Sequence, residues 1–199
     1  MSDVTGLSSK PPLILASASP RRVALLAQIG IVPDQIVPAD IDESCVRGEL
    51  PSVYAKRMAI EKTQTIAAKY PDAFVIGADT VVACGRRILP KAEDEQTAKS
   101  CMTLLMGRSH RVYGGLALAV PQDKIRAKVS YSHVAMRRLD AGELSDYLAF
   151  GDWDGKAGGY AIQGQAARYI TKIQGSYSQI MGLDIYHISQ MLKSVGLLP

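Results

Sequence analysis

The stretch from Leu13 to Gly30, "LILASASPRRVALLAQIG", restricts the fold of this chain more than any other. Leu13, Ile14 and Leu15 read as a short buried strand. Four small residues follow, Ala16 to Ser19, and then Pro20, which suits a first helical position because its missing N–H would be unpaired there anyway. Ser19 is the expected N-cap and Gly30 the expected left-handed residue closing the helix. A buried strand that turns straight into a helix calls for a sheet with helices packed on it.

That turn also poses an electrostatic problem. Arg21 and Arg22 occupy the first helical turn, where the macrodipole is already positive and a cation is unfavourable by about 0.3–1 kcal/mol. An anion resolves the conflict. Unpaired N–H groups at a helix start bind phosphate or carboxylate, small residues let the anion reach the backbone, and arginine forks suit a multiply charged ligand. The alternative is that both arginines point into solvent. The turn is not a P-loop, because G-x-x-x-x-G-K-[ST] is absent, and no G-x-G-x-x-G follows a strand. Ser17 and Ser19 also lack the G-x-S-x-G setting of a hydrolase nucleophile.

Along the rest of the chain, "DQIVPADIDES" reads as partly extended and ends in the acids Asp40, Asp42 and Glu43. Pro51 opens a helix expected to reach Tyr70, with Val53, Met58 and Ile66 among its core residues. "AFVIGADTVVACG" is strand-like but expected to break at Gly77-Ala78-Asp79. "AEDEQTAKSCMTLLMG" is a helix with acids in its first turn and Gly107 at its end. "RVYGGLALAV" and "IRAKVSYSHVAM" form a hairpin around Pro121–Lys124. Asp140 and Glu143 make a capping box for the next helix. Residues 151–164 are glycine-rich and read as a loop, "ARYITKI" as a strand, and the remainder as mostly helical. Alternating strands and helices with a hairpin in the middle define an α/β protein with a mixed sheet.

Composition excludes several functions. The chain has 199 residues, 47% hydrophobic and 21% charged, with a net charge of +4, too mild for a surface that coats nucleic acid. No run approaches the roughly 18 apolar residues of a membrane span. "KPPLILASA" is too short in its apolar part for a signal peptide, and residues 1–10 read as a flexible leader before a unit spanning 11–199. Cys45, Cys84 and Cys101 are odd in number and lack C-x-x-C spacing, which fits free thiols in a reducing cytoplasm. His110, His133 and His187 are too scattered for a zinc site. "DWDG" lacks the remaining ligand positions of a calcium loop.

Chemistry is carried by a few further residues. Asp79 in "IGADTVV" ends an apolar run, where an acid is costly to bury unless it binds something. It reads as a metal ligand or general base at a strand's carboxyl end, or else as a turn aspartate capping its own backbone. The acids of "ADIDES" suit Mg²⁺ or Mn²⁺, which take oxygen ligands and bridge to phosphates, or else form a solvated loop. Lys62 and Lys91 have nothing local that separates them from surface lysines. Gly158 and Gly159 in "GKAGGYAIQG" permit unusual backbone angles or close ligand approach.

Taken together and in order, "LILASASPRR", "ADIDES", "AIEKT", "IGADTVV", "ILPKAED", "LLMGRSHRVYGG", "GKAGGYAIQG" and "IQGSYSQIMGLD" resemble the Maf family of nucleoside triphosphate pyrophosphatases. The resemblance spans nearly the whole chain from Leu13. It implies a two-lobed mixed-sheet fold of the Maf and ITPase kind with the active site in the cleft between lobes. It also implies metal-dependent cleavage of a nucleoside triphosphate to monophosphate and pyrophosphate, with Mg²⁺ or Mn²⁺ as cofactor. By motif position, Asp79 is the proton acceptor or metal-organising acid, Glu43 a second metal-site acid, and Lys62 and Lys91 phosphate contacts. Ser17 and Arg22 belong to the phosphate turn. Arg21, Thr80 and Gln163 match the specificity positions of the branch acting on dTTP and UTP. A homodimer is also implied.

Four departures from the family pattern stand out. Ala92 follows Lys91 where proline is usual, and Gly114 follows "VY" where threonine is usual. Gly155 replaces the acid of "DKAG", with Asp154 one residue earlier, and Asp184 replaces the proline of "GLP". A rival expectation is a regulatory nucleotide- or nucleic-acid-binding protein tied to septum formation. The acids beside the expected phosphate site favour the enzyme, since mere binding would not need them.

Overall fold

The computed structural model describes residues 10–199, so the expected leader lies, apart from Lys10, outside the described residues. The elements in chain order are β1 (Leu13–Leu15), α1 (Pro20–Ala27), β2 (Gln35–Ile36), α2 (Pro51–Ala67), β3 (Phe74–Cys84), β4 (Arg87–Ile88) and β5 (Lys91–Ala92). They continue with α3 (Glu95–Leu105), β6 (Ser109–Ala119), β7 (Arg126–Met136), α4 (Ala141–Phe150) and β8 (Lys156–Ala157). A 3₁₀ turn at Gln165–Tyr169 leads to β9 (Ile170–Gln174), α5 (Tyr177–Met181) and α6 (Ile185–Lys193). The main sheet has the order β2-β1-β3-β6-β7-β9, with β4 also paired to β3, while β5 and β8 form a separate ribbon. β1 is parallel to β2 and β3, and the other pairings are antiparallel. This is the mixed α/β sheet expected from the sequence.

β3 organises the molecule. It runs unbroken through Gly77-Ala78-Asp79, where the sequence led us to expect an interruption. On one edge it pairs with β6 from Val75 to Ala83. On the other, β1 pairs only with Phe74–Ile76 and β4 only with Ala83–Cys84. Between them the edge is open, and the cleft forms there. Asp79 therefore lies in the middle of β3, not at its carboxyl end, but just beyond the carboxyl end of the parallel β1. Both faces of β3 are covered, which explains its nearly continuous apolar run.

Alternation sorts its side chains. Phe74, Ile76 and Ala78 join Leu25, Leu26, Ile188 and Leu192 in the core under α1 and α6. Val82 joins Met102, Leu105, Tyr147 and Tyr169 in a second core under α3 and α4. Thr80 falls between these two, on the same face, where the lobes part. The opposite face carries Val75, Gly77, Asp79 and Val81 toward α2, whose Ala55 and Ile66 complete two smaller clusters.

Two glycines let α2 lie unusually close to the sheet. A Cβ on Gly77 would sit 2.1 Å from Thr63 Oγ1, and one on Gly115 would sit 1.8 Å from the Ala55 carbonyl oxygen. Gly115 is the cross-strand partner of Asp79. Gly77 thus marks a close backbone approach within a continuous strand.

Several local expectations change. Val53 is exposed at 53%, because α2 turns Ala55, Met58, Ala59 and Lys62 inward instead. α2 ends at Ala67, short of Tyr70. Ser19 takes the N-cap backbone conformation without a side-chain cap. The first half of "ARYITKI" is the 3₁₀ turn, and only Ile170 onward is strand. The hairpin β6–β7 and the Asp140–Glu143 capping box form as the sequence indicates.

If the α2 approach is as tight as the glycines indicate, Gly115→Ala should lower stability by about 1–3 kcal/mol through overpacking. A urea midpoint equal to the wild type would show that α2 can lift freely.

Candidate active site

The cleft encloses about 420 Å³ and is floored by the turn after β1. Arg22 knots that turn to two other elements. Its Nη1 donates to Ser17 Oγ at 2.7 Å, its Nε to the Gly182 carbonyl at 2.9 Å, and its Nη2 approaches Thr80 Oγ1 at 3.4 Å. Ser17 Oγ also accepts from the Ser19 N–H at 3.3 Å. Arg21 donates through Nε to the Met181 carbonyl at 3.3 Å. Burial lowers the pKa of both guanidiniums, opposed by Asp79 at Arg22 and by Asp152 at Arg21. Two arginines thus sit at a positive helix end, each tied by its Nε–H to a backbone carbonyl near the end of α5, and both line the cleft.

A chain of four alternating charges crosses the cleft. Lys62 Nζ donates to Asp79 Oδ1 at 2.6 Å and lies 3.0 Å from Glu43 Oε1, while Lys91 Nζ is 2.6 Å from Glu43 Oε2. Asp79 and Lys62 are 5% and 7% exposed, so this pair is shielded from water. Breaking a buried pair by removing one partner typically costs about 3–5 kcal/mol, which holds Asp79 and Lys62 together as a unit. Burial pushes the Glu43 carboxyl up, but hydrogen bonds from Lys91 and Lys62 outweigh it and leave its pKa below the usual carboxylate value.

Helix α2 also secures the Glu43 loop. Tyr54 Oη donates to the Glu43 carbonyl at 2.7 Å, and Arg57 Nη2 donates to the Ser44 carbonyl at 3.1 Å and Glu49 Oε2 at 2.7 Å. Burial, and then the charges of Asp79 and Glu43, push the Tyr54 phenol up to about 12, so it stays a hydrogen-bond donor. Tyr54, Met58 and Lys62 recur every four residues of a helix; this spacing was the available signal for Tyr54, and the sequence reading did not use it.

The far wall is the "GGYAIQG" loop, which carries exposed Gln163 just before Gly164. Tyr147 Oη donates to the Gly159 carbonyl at 2.9 Å, and Tyr160 Oη lies 2.8 Å from His110 Nε2. Gly158 and Gly159 have positive φ, and a Cβ on Gly158 would meet Val82 at 2.7 Å. The loop is therefore pinned to the α3–α4 lobe. Neither Tyr147 nor His110 was singled out from the sequence, because their partners lie 12 and 50 residues away.

All the residues expected at the site line one cleft: Ser17, Arg21, Arg22, Glu43, Lys62, Asp79, Thr80, Lys91 and Gln163. Among the described residues, no group of three or more His, Cys, Asp or Glu side chains converges as a metal site. The departures are absorbed locally. Gly114 leaves room for Gln179, whose amide nitrogen would lie 2.9 Å from a Cβ there and whose Oε1 accepts from Ser132 Oγ at 2.7 Å. Ala92 and Gly155 meet each other, the Gly155 N–H donating to the Ala92 carbonyl at 2.7 Å across the β5–β8 ribbon. Asp184 caps α6, accepting from the His187 N–H at 3.2 Å and from Ser130 Oγ at 2.7 Å.

A mixed sheet split into two lobes, with arginines at a helix start facing a lysine–carboxylate chain, defines an α/β protein whose cleft is built for a polyanion. The profile described as "Maf-like protein" matches residues 12–195, and the chain belongs to that family. It is 54% identical over 94% of its length to a "dTTP/UTP pyrophosphatase" of Paramagnetospirillum magneticum, covering 98% of that protein. It is 48% identical over 97% of its length to a protein of the same description from Caulobacter vibrioides, covering all of it. Among solved structures it is similar to the Ham1 protein of Staphylococcus aureus, with a TM-score of 0.53 and 14% identity over 92% of this chain and 97% of that one. A HAM1 protein from Coxiella burnetii aligns with a TM-score of 0.50 and 13% identity over 92% and 99%. These structural likenesses bear on the fold alone.

His110 supplies a test of the loop anchor. Burial lowers its pKa to about 4, so folding favours the neutral ring. Its contribution to stability is whole above the unfolded pKa near 6.5 and is lost as pH falls toward about 4. Between pH 7 and pH 5 the wild type should lose about 2 kcal/mol more than His110→Gln, measured by denaturant midpoints. Equal losses would mean that the imidazole is not held neutral.

Proposed function

We propose that this chain hydrolyses nucleoside triphosphates to the monophosphate and pyrophosphate, with dTTP and UTP as preferred substrates. The observation that carries this reading is the buried Lys62–Asp79 pair opening onto the same cleft as the Ser17–Arg22 turn. The pyrophosphatase descriptions of relatives about half identical over nearly the whole chain support the same reaction and the same bases.

The chemistry follows from charge. A triphosphate brings several negative oxygens that must be neutralised before water can reach the α-phosphorus. Arg21, Arg22, Lys62 and Lys91 line the cleft for that task, acting by positioning and by electrostatic stabilisation of the charge that develops on the leaving pyrophosphate. Asp79 takes the proton of the attacking water, with Lys62 holding one of its oxygens in place. Such general-base help is worth about 10²–10⁴-fold. Lys91, 50% exposed and tied among the described residues only to Glu43, is free to swing onto a phosphate. Gln163 can donate to and accept from a pyrimidine edge.

A divalent cation, Mg²⁺ or Mn²⁺, fits the donor set. Glu43 and Asp79 already converge on one cation, the Lys62 ammonium, and two carboxylates plus substrate phosphates are a usual Mg²⁺ environment. When bound there, the metal would supply Lewis-acid stabilisation of the phosphates. The reading also takes residues 11–199 as one catalytic unit behind the 1–10 leader, acting in the cytoplasm as a homodimer. No helix among the described residues is long and apolar enough to cross a membrane, and the three cysteines are free. The rival reading, a regulatory nucleotide or nucleic-acid binder linked to septum formation, leaves the Asp79–Lys62 pair without a task.

Pyrophosphate release should be measured with Mg²⁺ across dTTP, UTP, CTP and GTP. Turnover strongest with dTTP and UTP, and abolished by excess EDTA, is the expected outcome. Tight binding without cleavage would favour the regulatory reading. Asp79→Asn leaves Lys62 paired with Glu43 at 3.0 Å, so it should lower stability yet stay folded by circular dichroism, and lower kcat by at least about 100-fold; near-normal turnover would remove Asp79 from the reaction.

A further inference from the structure

Gly164 is a glycine for which the backbone offers no reason. Its φ is −103°, a value that side chains accept. What excludes a side chain is Asp152: a Cβ on Gly164 would sit 1.8 Å from Asp152 Oδ2. That same oxygen accepts a hydrogen bond from the Gln165 N–H at 2.8 Å. The carboxylate therefore packs against the end of the turn that carries Gln163, a turn closed by the Gly164 N–H on the Ala161 carbonyl at 3.1 Å.

Asp152 is itself firmly placed. α4 is closed by Gly151, its C-cap, which takes φ +78°. The next residue but one, Trp153, donates its indole N–H to the Leu148 carbonyl at 2.8 Å. Asp152 is thus carried on a braced helix end between these two fixed points. Its charge also offsets part of the burial that lowers the Arg21 pKa. Arg21 engages protein through Nε, and both Arg21 and Gln163 line the cleft.

We propose that Asp152 is the positioning residue of the base-reading edge: it clamps the turn that presents Gln163 at the wall of the cleft. The inference rests on the pyrimidine triphosphatase reading above. It adds that pyrimidine selection depends on a carboxylate that itself touches neither base nor phosphate. Gly164 is the counterpart of Asp152, kept free of a side chain so that the carboxylate can close on the Gln165 N–H.

The test is steady-state kinetics of the full-length chain with dTTP, UTP and CTP and Mg²⁺. Asp152→Ala should raise KM for dTTP and UTP about tenfold, leave kcat within about twofold, and narrow the preference for UTP over CTP. Asp152→Asn keeps an oxygen acceptor for the Gln165 N–H but not the charge, and should fall between the wild type and Asp152→Ala. Gly164→Ala, which displaces the carboxylate without altering it, should reproduce the KM and selectivity changes even if Asp152→Ala does not fold. The double variant should then be no worse than the single ones. Unchanged KM and selectivity in Asp152→Ala, or in Gly164→Ala where Asp152→Ala is unfolded, would overturn the proposal. An equal loss of kcat with every nucleotide would do the same. A wild-type protein that cleaves none of these nucleotides would instead refute the functional reading itself.

Discussion

A lysine and an aspartate are buried against each other at 2.6 Å, and the rest of the cleft is arranged around that contact. Taking two charges out of water costs several kcal/mol each unless geometry is well matched, so the backbone must set the distance. It does so through glycine. With no Cβ at Gly77 or Gly115, α2 can press its Ala55–Ala59–Thr63 stripe onto β3 and β6, and Lys62 then reaches over to Asp79. A side chain at either glycine would lift the helix, and the ammonium would lose its partner while still buried.

The same helix extends its influence to Glu43. Tyr54 and Arg57, eight and five residues before Lys62 on the helix, hold the Glu43–Ser44 backbone, which brings Glu43 within reach of both lysines. The four-charge chain is thereby preassembled and internally neutral. A polyphosphate entering the cleft meets two arginines on its floor and two lysines that can transfer from carboxylate to phosphate. The opposite wall is stiffened differently, by tyrosine hydroxyls and a neutral histidine rather than by charge. That division suits a site in which one side performs chemistry on phosphates and the other recognises a base.

The residues that line the cleft are legible in the sequence by two routes of unequal depth. Ser17, Arg21 and Arg22 stand out by local physics, since two cations at a positive helix end invite a compensating partner, and the structure ties both guanidiniums to backbone carbonyls at the cleft. Asp79 is legible as a buried acid, but its setting is not: Gly77 reads locally as a break, whereas in the fold it marks a helix lying on a continuous strand. Lys62 and Lys91 carried no local signal and were identified only through resemblance to the family. Their distinctive feature is contact with acids 17 to 48 residues away, which no window of sequence contains. Val53 was placed in the core by helical spacing, yet the face of α2 that turned inward is the small-residue one that fits over glycine.

By itself, then, the sequence determined the strand–turn–helix that opens the chain, the capping box at Asp140, the β6–β7 hairpin and the mixed α/β class. Each of these depends on residues within a few positions of one another, through dihedral preference, capping or alternation. Tertiary structure alone decided where β3 would be left without a neighbour between β1 and β4, which is why the cleft opens at Asp79 and Thr80. It also decided which lysine meets which acid and how the Gln163 turn is held. Those outcomes depend on how closely distant backbones approach, and that distance is set by packing across the whole sheet.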